Sequence, residues 1–597
     1  MASQHTFNPD NALYFEERSE TITEEEMAMD QLNAQVCMQI KRGRCYQLCI
    51  HNGKQHYLDH DNDFMMYPQV LEVRRWEWLG WLSFFVSKST NLISVDISDG
   101  EHGKMNQRRI GSFIDALVKN CSIQKLIVNA DIGSTNFVKL NTLFQNNKNL
   151  KGITFQCMNT IRSYSANTIA NLCLCRPGTS LRGISIENST TNKSFPLITR
   201  SLSNATELEE LSFSYNNLDA KSCAALGRAL SDCPEPKLKR FIMSENTIST
   251  GSLLPLMRAL KKCQQLKELH IDEPLETIDI VSLYTLLKSE HCKLERLRIA
   301  VESVYIPVDI KGELLREALT QQQHLLSLNL DDCYLGDTAI RIMSVAITHL
   351  GRLKILSLRS NNINNSAANI IMPANSIEVI HLDYNLIGDQ ALAPMARALP
   401  IRLKQLSLAG NRISAPGVTH LWELLQRRDH LHCLDLSTNP IGDRGITTLA
   451  GFLRGNTTLK YLYIGGDVTI TETGWQALES TLCDSTSLTT IEASNHKLQG
   501  YFTSSGNSWT QRKLLDYFQM NKQGSKRAIV WKVTYCFSPH LFSEDIITFQ
   551  VKIEMHDKAI NYLIQQHSFH TMLTTVELIQ RSRLTTIFEY VKSCHYY

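Results

Sequence analysis

The sequence predicts an α/β solenoid with parallel strands lining its concave face and helices covering its convex face. Three observations carry this prediction. A strand-like motif with fixed apolar positions recurs along most of the chain, an amphipathic helical stretch follows each clear copy, and the period stays near 28 residues. A chain of 597 residues exceeds what one compact core organises, so several domains or a repeat array is required. Apolar residues make up 43% and charged residues 20%, the balance of a folded soluble protein rather than a disordered one. A formal net charge of +2 argues against a nucleic-acid-binding protein, which carries a marked basic excess.

Residues 1–36 read as an acidic, disordered tail, with Glu16, Glu17 and Glu24 to Glu26 as a solvated charge run. Residues 37–91 read as an N-terminal cap. Cys45 to Tyr57 is expected to be a hairpin turning at Asn52-Gly53, followed by an aromatic helix from about Trp76 to Ser87. The cap would bury Trp76, Trp78, Trp81, Phe84 and Phe85 against the open end of the solenoid.

Residues 92–498 carry the repeats. Leu208, Leu211, Phe213, Asn216 and Leu218 set the pattern Leu-x-x-Leu-x-Leu-x-x-Asn-x-Leu, repeated by Leu238, Phe241, Met243, Asn246 and Ile248. It returns from Leu325, with Cys333 in the Asn place, and from Leu353, Ile377, Leu403 and Leu431. Weaker copies open at Leu92, Ile123, Leu150, Leu181, Leu266, Leu294, Leu459 and Leu488, giving about fifteen units. The leucines of the strand point inward, and the Asn that follows is placed to satisfy buried backbone groups where the chain turns. The helical half shows in Leu226, Ala229 and Leu230, in Leu392, Met395 and Leu399, and in Leu449 and Leu453. Neither half buries its apolar side alone; stacked neighbours close a continuous core.

With this spacing and a full helix per unit, the chain resembles the ribonuclease-inhibitor-like class of leucine-rich-repeat proteins over residues 92–498. The resemblance implies a curved, right-handed horseshoe whose concave strands bind another protein. The stretches Trp76 to Leu92 and Ser494 to Leu498 also resemble members of that class from unicellular algae. Residues 499–597 are expected to form a mainly helical C-terminal cap or appendage, with helices near 510–521, 559–566, 571–579 and 585–591.

The N-terminus lacks a basic segment followed by an apolar one, and no stretch reaches the roughly 18 apolar residues of a bilayer span. Sixteen scattered cysteines fit reduced thiols, so the chain reads as intracellular, with cytoplasm the first expectation and nucleus the second. No phosphate-binding loop, zinc-protease motif, nucleophile elbow or kinase signature occurs, and neither catalytic residues nor a cofactor are expected. His56, His60 and Asp61, like His430, His432 and Cys433, are read as ordinary surface and strand residues rather than metal ligands, and Cys173 and Cys175 as core thiols. The alternative from a different class is a GTPase-activating protein of the Ran type, which shares this repeat and supplies a catalytic arginine. That protein's long acidic tail has no counterpart here, and no arginine in the early units stands out.

The second, fourth and sixth residues after each opening leucine face the concave side. One or more proteins, rather than nucleic acid or membrane, are expected to dock there on Glu268, His270, Asp272, Arg296, Arg298, Asn329, Asp331, Arg359, His381, Asp383, Tyr384, Tyr461 and Tyr463. The competing reading is that Asp272, Arg298, Asp331, Arg359 and Asp383 pair among themselves as an ion ladder along the face.

Overall fold

The structure, a computed structural model, describes residues 47–51, 70–73 and 509–522 and, with short gaps, 79–156, 181–248, 253–300, 306–368 and 376–500, with Ser525, Ala528 and Lys532. The tail at 1–36, the end of the expected hairpin, Trp76, Trp78, Cys173, Cys175 and the three helices expected beyond residue 558 lie outside the described residues. The chain divides into two compact units, Met1–Ile306 and Pro307–Tyr597.

The first unit holds ten described strands: β1 Gln47–His51, β2 Val70–Val73, β3 Ser94–Ser98, β4 Lys125–Asn129, β5 Gly152–Gln156, β6 Gly183–Glu187, β7 Glu210–Ser214, β8 Arg240–Ser244, β9 Glu268–Asp272 and β10 Arg296–Ala300. From β3 to β10 each strand pairs in parallel with the next. β1 pairs in parallel with β2 on one edge and with β3 on the other, so both its edges are taken and the expected antiparallel hairpin has no place to form. In the helix Leu79–Lys88, Leu82 and Val86 are buried one turn apart while Phe84 is 62% exposed. Among the described side chains of this helix, Leu82 and Val86 are the buried ones, and Phe84 is not.

The second unit holds six described strands: β11 Ser327–Asn329, β12 Ile355–Ser357, β13 Val379–His381, β14 Gln405–Ser407, β15 Cys433–Asp435 and β16 Tyr461–Tyr463, paired in parallel in chain order. Across the two units, every opening residue from Leu92 to Leu459 precedes a strand by two positions. Leu488 does not. Ser487 and Thr490 exchange bonds there, each hydroxyl accepting the other's N–H at 2.9 and 3.1 Å, a reciprocal cap that favours a helical turn over an extended strand. The chain comes alongside β16 only at Gln499, whose N–H donates to the Lys460 carbonyl. Gly500 is pressed there, since a Cβ would stand 2.6 Å from the Leu462 carbonyl oxygen. The helix Trp509–Lys522 then packs on Glu472–Leu482, and Lys532, fully buried, donates to the carbonyls of Leu482 and Asn495.

In each strand the apolar residues face helices and the alternate residues face away, as β9 shows: Leu269 and Ile271 are buried, and Glu268, His270 and Asp272 are half-buried. Polar columns hold the turns. In the second unit, each Asn of the motif joins its rung to the one before it. Asn385 donates to the Leu358 carbonyl at 2.9 Å and accepts the N–H groups of Asn361 and Ile363. Asn411 and Asn439 repeat this on Leu382 and Ile387, and on Leu408 and Ile413. A carboxamide suits the place because it donates and accepts at once. A second column marks the junction from helix to strand: Asn147 donates to the carbonyls of Asn120 and Ile123 and accepts from Leu150, and Asn495 does the same with Leu453, Asn456 and Leu498. Asn495 lies inside the stretch Ser494 to Leu498, so that stretch is a turn device.

Candidate binding face

The open face of each sheet is set by the alternation just described. In the first unit, Glu268 is shared by two arginines, with Arg240 at 3.1 Å and Arg296 at 3.4 Å. Arg298 reaches Asp272 at 3.0 Å, while His270 Nε2 stays 3.8 Å from the same carboxylate. Burial pushes the Asp272 carboxyl up, but His270 and Arg298 outweigh it and hold it below the usual carboxylate range. Arg296 and Arg298 keep 64% and 37% of their side-chain surface, so both can meet a partner. Glu273, beside this face, is buried and turned inward onto Asn246.

The second unit corrects part of the expected face. Asp331, His381 and Asp383 are buried, at 6%, 4% and 3% exposure. Asp331 accepts from Ser357 Oγ and the Arg359 N–H, and Asp383 accepts from Ser407 Oγ, the Ala409 N–H and Arg359 Nε. The carboxylates stitch adjacent rungs together because a short strand leaves backbone N–H groups that need acceptors. Ser407, His381 and Asp383 do not form a nucleophilic triad: the serine donates to the aspartate, and the His381 Nδ1 lies 3.3 Å from Arg359. The two ion pairs Asp272–Arg298 and Arg359–Asp383 form as the ladder reading expects, and Asp331 accepts the Arg359 backbone N–H. Further ion pairs lie along the strand entries, Glu209–Lys239 and Lys267–Glu295 in the first unit, and the second has a three-membered row in which Glu378 takes both Lys354 and Lys404.

Asn329, Arg359, Tyr461 and Tyr463 remain half-buried on the open face, with Asn329 and Arg359 tied to Asp331 and Asp383. Burial, helped by Cys433 and Asp435, pushes the Tyr463 phenol up to about 12. Tyr384 is 63% exposed at φ 54°, a left-handed conformation that a bulky side chain adopts only at a cost. The same place in the repeat carries Tyr215, 57% exposed at φ 56°, which the sequence reading missed. The signal was available: the residue before the ladder Asn is the left-handed one, seen again at Glu245, Ser360, Gly410 and Thr438. Among the described residues no group of three or more His, Cys, Asp or Glu could hold a metal, and no helix is long and apolar enough to cross a membrane. The His432 Nδ1 faces the Thr458 carbonyl at 3.2 Å, and His56, His60 and Asp61 are outside the described residues.

A Leucine Rich repeat family profile matches residues 429–450, the rung that carries β15 and Asn439. Ribonuclease inhibitor from Sus scrofa is 26% identical over 331 residues, covering 54% of this chain and 72% of that protein. The chain is similar to the ribonuclease-inhibitor-like class of leucine-rich-repeat proteins. Within this class, ribonuclease inhibitor from Mus musculus is 22% identical and is covered to 78% of its length. NACHT, LRR and PYD domains-containing protein 5 from Mus musculus is 24% identical over 386 residues; this leucine-rich-repeat chain spans about a third of its length, 32%, while 62% of the chain is matched.

Proposed function

We propose that the chain is a non-catalytic scaffold that binds another protein through the open faces of its parallel sheets. The observation that carries the reading is the pair of exposed tyrosines, Tyr215 and Tyr384, held in a left-handed backbone conformation at the rim of those faces. The left-handed turn is common to the rungs, being shared with Glu245, Ser360, Gly410 and Thr438, so it does not call for tyrosine; an exposed tyrosine there is free to serve a partner, and tyrosine and arginine are the side chains that dominate binding hot spots. Arg296 and Arg298 supply the arginine in the first unit, and Tyr461 and Tyr463 add aromatic surface in the second. No arrangement of nucleophile, base and orienting group accompanies them on the described faces.

The names of two relatives make a ribonuclease the first partner to try, with a lysate as the wider source. The test compares the full chain with one carrying Arg296→Ala, Arg298→Ala, Tyr384→Ala and Tyr461→Ala, positions outside the buried Asn columns whose ion pairs are partly exposed. The expected result is a partner bound by the first and lost, or weakened at least tenfold, by the second. Equal binding by both would remove the open faces from the account, and accelerated GTP hydrolysis by the pure chain would replace scaffold with activator.

A further inference from the structure

In the first unit the Asn column ends on an acid. Asn216 donates its N–H to Asn246 Oδ1 at 3.0 Å, and Asn246 in turn donates its own N–H to Glu273 Oε2 at 3.0 Å and its Nδ2 to Oε1 at 2.7 Å. Pro274 stands where the motif calls for Asn, and Glu273, one residue earlier and one methylene longer, fills the role. A carboxylate accepts but cannot donate, so the column stops there and its last member can titrate. Glu273 is 2% exposed. It faces Asp272 on its own strand end and Glu245 on the turn after β8; Cys223, near Asp219 and Asp279, faces it from the helix Ala220–Asp232.

We propose that the Asn246–Glu273 rung is a proton-operated joint: with a proton on Glu273 the segments Glu245–Asn246 and Asp272–Glu273 are held together, and without it they part. Closure with a charged Glu273 sets a buried carboxylate against Asp272 and Glu245, whereas an open rung lets it reach water. Burial pushes the Glu273 carboxyl up to about 7 despite the two bonds from Asn246, and burial pushes the Cys223 thiol up to about 12, so the thiol stays neutral. The sign follows from linkage: an acid whose folded value is raised stabilises the closed form fully below its ordinary value of 4.5, and that stability is lost as pH rises to about 7, then levels. Tyr215 and Glu245 hang from this rung, donating their N–H groups to the carbonyls of Ser244 and Asp272, so the joint sets how firmly that rim is held.

The test is hydrogen exchange of the full chain followed by mass spectrometry, corrected for intrinsic exchange, from about pH 5 to pH 8. In the wild type, the opening of the segment around Asn246 should rise by up to about tenfold per pH unit and flatten above about pH 7. Glu273→Gln should abolish the rise, and Glu273→Asp should keep one. The neutral rung around Asn385 in the same sample is the internal control and should stay flat, which keeps the test decisive if Glu273→Gln fails to fold. A flat wild-type profile at Asn246, the same slope at Asn385, or an unchanged slope in Glu273→Gln would overturn the proposal.

Discussion

The two units build their turns from the same motif but finish them differently. In the second, Asn361, Asn385, Asn411 and Asn439 follow one another without a break, each giving and taking bonds across a rung. In the first, the described column has Asn216 and Asn246 and then Glu273, beside strands of five residues rather than three. The amide column is indifferent to pH, because nothing in it ionises; the acid-terminated one is not. Polar residues on the faces differ in the same way. Those of the second unit are largely spent on structure, as Asp331 and Asp383 are, while Arg296 and Arg298 of the first remain half-open to solvent.

The largest effect is expected where the amide column is cut. Asn385→Ala leaves the N–H groups of Asn361 and Ile363 and the Leu358 carbonyl buried without partners. The expected cost is about 3–5 kcal/mol in a urea melt, the same at pH 6 and pH 8. A pH-dependent cost would break the contrast between the columns. Arg359→Ala comes next: it strips the counter-charge from Asp383, whose side chain keeps 5% of its surface, and should lower stability by about 2 kcal/mol. The matching change Arg298→Ala, at a pair with 37% and 20% of its side-chain surface left, should cost below about 1 kcal/mol and register in binding instead.

Smaller changes sharpen the picture at the rim and the strand entries. Gly410 has φ +63°, and a Cβ there would meet the Tyr384 ring at 2.5 Å. Gly410→Ala should cost about 1–2 kcal/mol, and part of that cost should vanish in a Tyr384→Ala background, measured as a double-mutant cycle. Glu378→Gln should cost under about 1 kcal/mol at neutral pH. Hydrogen bonds from Lys354 and Lys404 hold the Glu378 carboxyl below its ordinary 4.5, so its contribution is present above 4.5 and is lost as pH falls through the lowered value. A thermal-melt series into acid should show the wild type and the variant converging.

The fold was legible because the motif that specifies it is spelled in apolar residues at invariant spacing. From Leu92 to Leu459 the opening residue places the strand two positions on, even where the copy is weak, as at Leu150 and Leu294. The pattern failed at Leu488, where the hydroxyls of Ser487 and Thr490 make a local cap that periodicity does not register. The face was legible as a row but not as a set of roles. The row takes in His381 by alternation and Tyr384 as the position adjoining it, yet the first is buried and the second exposed, and nothing in the spacing tells them apart. The inward turn of Glu273 was hidden for the same reason: it follows from Pro274 occupying the Asn place, a substitution legible only once the column itself is seen.

The central claim is that exposed residues on the sheet faces bind a protein while the buried polar columns only hold the fold. The direct measurement is binding per folded molecule for Arg296→Ala with Tyr384→Ala, beside Asn385→Ala, against the captured partner, with unfolding followed on the same samples. The account predicts a split: the first variant melts like the wild type and loses binding at least tenfold, and the second loses stability but binds normally while folded. Loss of binding only in step with loss of folded protein, in both variants, would contradict it.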